Sequence, residues 1–238
     1  MSKKPLLIVK AGGTYPDMAA RYGDFEDWFI ARMDRSVGTV ETVSPFSGTP
    51  LPQVASFGGI IITGSHDMVT DKKPWSEKTA DWVKAAVEAE TPLLGVCYGH
   101  QLLAYAMGGV VSDNPKGKEF GTVSIRLNPD GREDRLFDGT PETFVAQACH
   151  SQSVLQLPAG ATLLASSALD PHHAFHIGRR AWGVQFHPEF NGQMLRRYIQ
   201  RFTDDLKAQG RDVGRLLSDI RETPHSERLL RRFQRLCT

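Results

Sequence analysis

The sequence predicts an α/β fold, a three-layer sandwich with helices on both faces of a mostly parallel central sheet that also carries extra antiparallel strands. In the first hundred residues, wholly apolar segments such as 59–63 and 93–96 alternate with segments whose apolar residues recur at helical spacing. Wholly apolar strands are typical of parallel sheets covered on both faces. From 109 to 184 the pattern changes to short β-rich segments between proline and glycine turns, which predicts added antiparallel or mixed strands in the same sheet.

Each predicted element has a local cause. The first strand stops at Gly12, and Asp24 can cap a helix whose apolar residues fall near one face. The strands of the parallel part are predicted at 6–10, 39–43, 59–63, 93–96 and 181–186, and the added strands at 122–127, 143–148, 154–157 and 161–165. Helices are predicted from Asp24, over 74–89, from Cys97 to about 107, and from about 191 to a stop at Gly210.

The chain is predicted to form one domain, 1–238, with a helical carboxyl-terminal extension over about 211–238. Its 238 residues are enough for a substantial core, and they contain no internal repeat or low-complexity linker. In the extension, Thr223-Pro224 resembles a helix N-cap followed by proline at the first helical position.

Composition limits the partners and the compartment. A formal net charge of +1 gives no reason to expect nucleic acid or an anionic membrane surface, and no apolar run approaches a membrane span. The segment Met1–Pro5 leads into an apolar stretch too short for a signal peptide. Three widely spaced cysteines argue against a disulfide framework, so a cytoplasmic location is expected.

Gly95-Val96-Cys97-Tyr98-Gly99 places a cysteine between glycines at a turn from strand to helix. A nucleophile at such a turn sits in a strained backbone conformation that glycine neighbours tolerate. The positive end of the helix dipole favours the thiolate, and the Tyr98 amide points toward an oxyanion at an attacked carbonyl. The alternative interpretation is a buried apolar cysteine without chemistry.

His187-Pro188-Glu189 ends the last apolar strand. Residues two apart in an extended chain point to the same side, so the carboxylate can hold one ring nitrogen protonated while the other takes a thiol proton. The alternative is a strand-end histidine with a solvated glutamate. Strands of one parallel sheet bring their carboxyl ends to the same edge, so Cys97 and His187 are expected to meet there.

These residues resemble the two signature segments of class I glutamine amidotransferases, at Gly95–Gln101 and Val184–Glu189. The segment Gly59–Ser65 is similar to the strand and turn that supply the second oxyanion-hole amide in that family. The resemblance spans most of 6–205, looks closest to stand-alone members akin to the amidotransferase part of GMP synthase, and implies the flavodoxin-like class I amidotransferase fold.

The resemblance implies a catalytic triad of Cys97 as nucleophile, His187 as general base and acid, and Glu189 as its orienter. Gly64 and Tyr98 would donate the oxyanion-hole amides, and Gln101 would contact the bound glutamine. The segment 150–154 matches the family pattern H-x-D-x-V except that Gln152 replaces the acid. Ser151, Gln152 and Ser153 are therefore further substrate-binding candidates, as is Gly64 besides its role in the oxyanion hole. The segment 118–121 resembles another landmark near the glutamine pocket.

The implied reaction releases ammonia from glutamine through a γ-glutamyl thioester and then hydrolyses the thioester to glutamate. No room remains for an ATP-activating synthetase domain, so a separate ammonia-accepting synthetase subunit is a possible partner, and no cofactor or metal is predicted. His172, His173 and His176 lack supporting ligands, which favours a polar strand or hairpin over a metal site. Two alternatives stay open: a γ-glutamyl peptide or conjugate hydrolase with the same triad, and a weakly active regulatory or binding module.

Overall fold

The computed structural model describes residues 4–34 and 38–237. Residues 1–3, on which the signal-peptide prediction partly rests, lie outside the described residues, as does the final residue of the predicted domain. No helix within the described ranges combines the length and the apolar character needed to span a bilayer.

Strands and helices alternate along the first hundred residues. In chain order the elements to that point are β1 (Leu6–Val9), α1 (Pro16–Tyr22), α2 (Phe25–Arg32), β2 (Val40–Val43), β3 (Gly59–Ile62), α3 (Pro74–Glu88), β4 (Leu93–Val96) and α4 (Tyr98–Ala106). The later elements are β5 (Val110–Asp113), β6 (Glu119–Leu127), α5 (Pro129–Glu133), β7 (Thr143–His150), β8 (Gln152–Gln156), β9 (Ala161–Ser166), β10 (Ala174–Ile177), β11 (Ala181–Val184), α6 (Gly192–Arg201), α7 (Thr203–Ala208), α8 (Val213–Ser218) and α9 (Pro224–Leu236).

A nine-stranded sheet in the order β2-β1-β3-β4-β11-β10-β9-β6-β7 forms the centre of the described fold. The first five strands in this order are parallel, and the remaining four pair antiparallel. Val96 at the end of β4 lies opposite Val184 at the end of β11. Because the two strands end at the same level, the segments that follow them leave the sheet at one edge.

Successive side chains of a strand point to opposite faces of the sheet. Because the buried strands are apolar throughout, both faces of the sheet are apolar and both are covered by helices. On one face, Ile8, Ile61 and Leu94 pack in a cluster with residues of α2 and α9. On the other face, Ile60 and Ile62 pack with residues of α3 and α4. The predicted three-layer α/β fold is confirmed, including the antiparallel strands that extend the parallel part of the sheet.

Two local predictions were wrong. The segment around 154–157 was expected to join the central sheet, but β8 pairs antiparallel with β5 in a separate two-stranded sheet. The helix expected over about 191–210 is divided into α6 and α7 at Phe202, whose backbone amide still bonds to the Tyr198 carbonyl.

The carboxyl-terminal helix α9 packs into the main core. Leu229, Leu230 and Phe233 are fully buried in the cluster that also holds Leu94 and Val184 of the sheet. The proline predicted at the first helical turn is Pro224, although the Thr223 side chain makes no capping hydrogen bond. The predicted extension therefore contributes part of one helical layer.

Candidate active site

The turn between β4 and α4 holds Cys97 at φ 51° and ψ −102°, a region that few non-glycine residues occupy. Its glycine neighbours are required by close packing. A β-carbon on Gly95 would lie 2.3 Å from the Gly99 carbonyl oxygen, and one on Gly99 would lie 2.4 Å from the Ile62 carbonyl oxygen. The strained turn is thus fixed from both sides, and it presents the sulfur at the first turn of a helix.

Two backbone amides beside this sulfur are available to a ligand. The Cys97 amide donates to Val184 at 2.9 Å, whereas the Tyr98 amide at the start of α4 donates to no acceptor within the described residues. The Gly64 amide likewise has no acceptor there. Thr63 restrains Gly64, because its hydroxyl donates to the Gly64 carbonyl at 2.9 Å and accepts from Ala11 at 3.0 Å. These are the two amides that the sequence assigned to an oxyanion hole.

His187 and Glu189 form a buried pair next to Cys97. The His187 Nδ1 atom lies 2.7 Å from Glu189 Oε1, and both side chains are at most 5% exposed. Burial lowers the pKa of His187, but the charges of Glu189 and Cys97 and their hydrogen bonds outweigh it and raise that pKa to about 10. The ring of Phe190 stacks on the imidazole at 4.1 Å between centroids, which fixes the ring plane.

Gly64 lies against both the His187 imidazole and Cys97, with little space for a side chain of its own. A β-carbon there would lie 3.2 Å from His187 Cε1 and 3.7 Å from Cys97 Cβ. The three segments that the sequence singled out therefore meet at the carboxyl edge of the parallel strands. Such an arrangement can take a proton from a thiol, hold the resulting ion pair and donate two hydrogen bonds to a developing oxyanion.

The far strand of the sheet also reaches this edge. Although β7 is last in the strand order, the His187 amide donates to the Gln147 carbonyl at 2.8 Å in an isolated antiparallel bridge. The bridge brings Cys149 and His150 beside Cys97, and the Cys149 carbonyl lies 4.0 Å from the Cys97 sulfur.

The predicted substrate-binding residues divide into two groups. Gln101, Ser151 and Gln152 line the same cavity as Cys97, whose volume is about 250 Å³. The Gln101 side-chain amide donates to the Gln152 carbonyl at 2.7 Å. The Gln152 side chain, where the family pattern has an acid, donates to Thr70 at 2.7 Å. Ser153 is buried on β8 and does not line the cavity.

Behind the cavity, Glu119 accepts hydrogen bonds from two histidines. Its Oε2 atom lies 3.0 Å from His150 Nε2 and 2.7 Å from His173 Nε2, and Ser167 donates to its other oxygen at 2.7 Å. Burial raises the pKa of Glu119, but the bonds from the two histidines outweigh it, so the pKa is lowered overall. Burial lowers the pKa of His150, while Glu119 reverses this and raises it.

Within the described residues, Glu119, His150 and His173 are also the group whose donor atoms could hold a metal ion, all lying within 4.8 Å of one another. An ionised carboxylate only accepts hydrogen bonds, so both histidines carry a proton on Nε2. The distances fit this hydrogen-bonded arrangement. The three histidines weighed in the sequence are separated instead, since His172 bonds to Val154 and His176 to Asp134.

An aromatic side of the cavity was missed by the sequence reasoning. Tyr15, His66, Tyr198 and Phe202 line it, coming from the loop after β1, the turn after β3, and the end of α6. Tyr198 and Phe202 fall within the helix that was predicted from about 191 to Gly210, and no role at the site was predicted for them. The only sequence feature that could have indicated these four residues is that each is aromatic and follows a strand or lies in a helix near the carboxyl edge. Their spacing along the chain does not indicate that they meet.

A sequence model of class-I glutamine amidotransferases matches residues 24–205. The chain belongs to the class-I glutamine amidotransferase family. A glutamine amidotransferase from Thermotoga maritima has the same fold, with a TM-score of 0.78 at 21% identity over 99% of both chains. The region matched by the family model includes Cys97, His187 and Glu189, the residues that meet at the cavity.

Curated relatives of this family member include a γ-glutamyl peptidase and GMP synthases. Gamma-glutamyl peptidase 3 of Arabidopsis thaliana is 31% identical over 76% of this chain and 73% of its own length. A glutamine-hydrolyzing GMP synthase subunit of Methanocaldococcus jannaschii is 33% identical over 68% of this chain and 82% of its own length. The match covers only 32% of the longer GMP synthases of Aeropyrum pernix and Porphyromonas gingivalis.

Proposed function

We propose that this protein hydrolyses the side-chain amide of glutamine, or of a γ-glutamyl compound, through a thioester on Cys97. The observation that carries the proposal is the convergence of Cys97 with the His187–Glu189 pair beside the amides of Gly64 and Tyr98. The same five residues supply a nucleophile, a base held by a carboxylate, and two oxyanion donors. Each is the residue type that acyl transfer from an amide requires.

In the proposed reaction the Cys97 sulfur, its proton taken by His187, attacks the δ-carbonyl carbon of the γ-glutamyl group. The carbonyl oxygen becomes an oxyanion that the Gly64 and Tyr98 amides stabilise. His187 then returns the proton to the leaving nitrogen as the carbon–nitrogen bond breaks. Water, deprotonated by the same imidazole, attacks the thioester and releases glutamate and the thiol. Loss of one oxyanion donor typically costs about 3–4 kcal/mol of transition-state stabilisation.

The γ-glutamyl end would be held by Gln101, Ser151 and Gln152. These polar residues line the cavity next to Tyr98, and the bond from Gln101 to the Gln152 carbonyl fixes their separation. Gln152 is neutral, so it can hydrogen-bond a substrate ammonium group but cannot form an ion pair with it. Ser153 takes no direct part in this arrangement, because it lies outside the cavity.

A second candidate is a γ-glutamyl peptide hydrolase with the same residues in the same roles. It is favoured by the aromatic residues that line the cavity in addition to its polar residues, since ammonia requires no such surface. The name of the Arabidopsis relative points the same way. If glutamine is the substrate, the name of the Methanocaldococcus relative supports a partner that is a separate, ammonia-accepting synthetase.

We also propose that residues 1–238 form one domain in which the extension from about 211 is structural. The burial of Leu229 and Phe233 in the main core supports this partition. A regulatory or binding role without catalysis is the remaining alternative. It would require that the thiol beside His187 be unreactive.

The test is the release of glutamate from glutamine and from γ-glutamyl dipeptides by the purified protein and by Cys97→Ser. We expect turnover by the wild type only, with both proteins showing the same circular dichroism spectrum. A diazoketone analogue of glutamine should alkylate Cys97, and Cys149→Ala, a variant of the neighbouring thiol, should still be labelled. Turnover by Cys97→Ser near the wild-type rate would remove Cys97 from the mechanism.

A further inference from the structure

Two chemically different groups of side chains are among those that line the cavity beside Cys97. One is polar and is formed by Gln101, Ser151 and Gln152. The other is an aromatic wall, by which we mean Tyr15, His66, Tyr198 and Phe202. A glutamine molecule needs the polar side for its charged groups. Its leaving group, ammonia, has no surface that could use the aromatic wall.

The aromatic wall is a packed and hydrogen-bonded unit. The ring of Tyr15 stacks on that of His66 at 4.4 Å and meets Phe202 edge-on at 6.4 Å. The Tyr198 hydroxyl lies 3.1 Å from His66 Nε2 and 2.8 Å from Thr14 Oγ1. Because these contacts hold the rings in place before a ligand arrives, binding of an aromatic group would cost little ordering entropy on the protein side.

The aromatic wall lies on the side of the site where His187 acts. Phe190 stacks on the His187 ring at 4.1 Å and contacts the Tyr198 ring at 5.3 Å, so the rings are continuous from the imidazole to the wall. Burial lowers the pKa of His66, and the nearby charge of His187 contributes in the same direction. The polar side instead adjoins Tyr98 and α4, where the oxyanion amide is.

This placement assigns the aromatic wall to the leaving group. In the cleavage of an amide, the leaving nitrogen must receive a proton from the imidazole, so the substituent on that nitrogen lies on the His187 side. An aromatic substituent buries about 150–250 Å² and gains further from edge or stacked contacts with other rings. Lys118 also lines the cavity, where its ammonium group forms an ion pair with Asp205.

We propose that the preferred substrates are γ-glutamyl amides whose leaving amine carries an aromatic side chain, such as γ-glutamyl dipeptides ending in phenylalanine. The proposal rests on the proposed function, because it names the substrate class of the same thioester chemistry. No additional reactant is needed. The thioester forms as the aromatic amine leaves with the proton from His187, and water then releases glutamate.

The test compares kcat/KM for γ-glutamyl-phenylalanine and γ-glutamyl-alanine, whose leaving amines differ only in the side chain. We expect the phenylalanine substrate to be favoured about tenfold or more, and to exceed glutamine. Phe202→Leu removes a ring while keeping apolar volume, and Tyr15→Ala removes the stacked partner of His66. Each should lower the rate on the phenylalanine substrate more than on the alanine substrate and bring the ratio toward one.

Phe46→Ala is the matched control, because Phe46 is an aromatic side chain 38% exposed and outside this cavity. It should leave the ratio unchanged. A wild-type ratio at or below one, or a ratio that survives Phe202→Leu in a folded protein, would overturn the assignment of the wall while Cys97-dependent hydrolysis still stood. Absence of hydrolysis of every γ-glutamyl compound would overturn the proposed function as well.

Discussion

Gly99 lies so close to Ile62 that a β-carbon on residue 99 would come within 2.4 Å of the Ile62 carbonyl oxygen and 2.8 Å of its Cβ. This contact joins the first turn of α4 to the end of β3. The Tyr98 amide precedes Gly99, and the Gly64 amide follows two residues after Ile62. The spacing of the two amides in the proposed oxyanion hole therefore depends on a glycine at position 99.

We expect Gly99→Ala to lower the free energy of unfolding by about 1–3 kcal/mol, because backbone must move to admit the methyl group. The separation of the two amides would change too, so turnover should fall by more than the lost stability explains. Urea denaturation and kcat measure the two effects. Gly214→Ala, in helix α8 and facing only the Asp212 carboxylate, should be neutral or stabilising. Wild-type kcat in a folded Gly99→Ala protein would contradict the argument.

Glu189→Gln should lower the pKa of His187. Burial alone depresses that pKa, and the Glu189 charge is the first of the effects that raise it to about 10. In the proposed reaction the His187 imidazolium protonates the leaving nitrogen, so the alkaline limb of the pH–rate profile should move to lower pH. The rate should fall about 100-fold or more. Nuclear magnetic resonance of the imidazole protons reports the pKa, and Glu88→Gln, on an exposed position of α3, is the control. An unchanged pKa of the His187 ring in Glu189→Gln would mean that Glu189 does not stabilise the charged imidazolium.

Glu119→Gln should destabilise the protein by about 3 kcal/mol near pH 5.5, because two buried N–H donors lose their anionic acceptor. The lowered pKa of Glu119 gives stability that is present above its ordinary value of 4.5 and is lost as pH falls. The raised pKa of His150 gives stability that is present below 6.5 and is lost as pH rises through the folded value. The difference in unfolding free energy between wild type and variant should therefore be largest between pH 4.5 and pH 6.5. A difference that stays constant from pH 4 to 8 would exclude this coupling.

Asp24→Asn should cost about 1 kcal/mol of stability at pH 7, because asparagine still caps the helix but removes the charge that pairs with Lys10. The Asp24 side chain accepts from Thr14 and Phe25 and pairs with Lys10 at 2.6 Å, in the capping box of α2. Burial raises its pKa, but these hydrogen bonds outweigh it, so the pKa is lowered. The contribution should thus disappear as pH falls below 3.8. Urea midpoints measure it, with Asp81→Asn on the exposed face of α3 as control. Equal losses in both variants would indicate a general charge effect.

Much of the fold could be predicted because its causes are local. The apolar strand 59–63, the Asp24 cap and the apolar face of the last helix each depend on residues that are neighbours in sequence. The pairing of β8 with β5 could not be predicted, since a β-rich segment does not encode its partner. For the same reason, no pattern in the sequence indicated that Gln147 would bridge to His187 and bring β7 to the site.

The sequence by itself determined the α/β fold class and indicated the residues proposed to act at the ends of two strands, Cys97 and His187. A turn that needs glycine and a strand end with adjacent imidazole and carboxylate are properties of a few consecutive residues. Only the tertiary structure decided that Tyr15 and Phe202 face the cavity and that Glu119 joins His150 to His173. Such contacts join residues distant in the chain, and they form only when burial of the core has fixed the positions of the strands and helices that carry them.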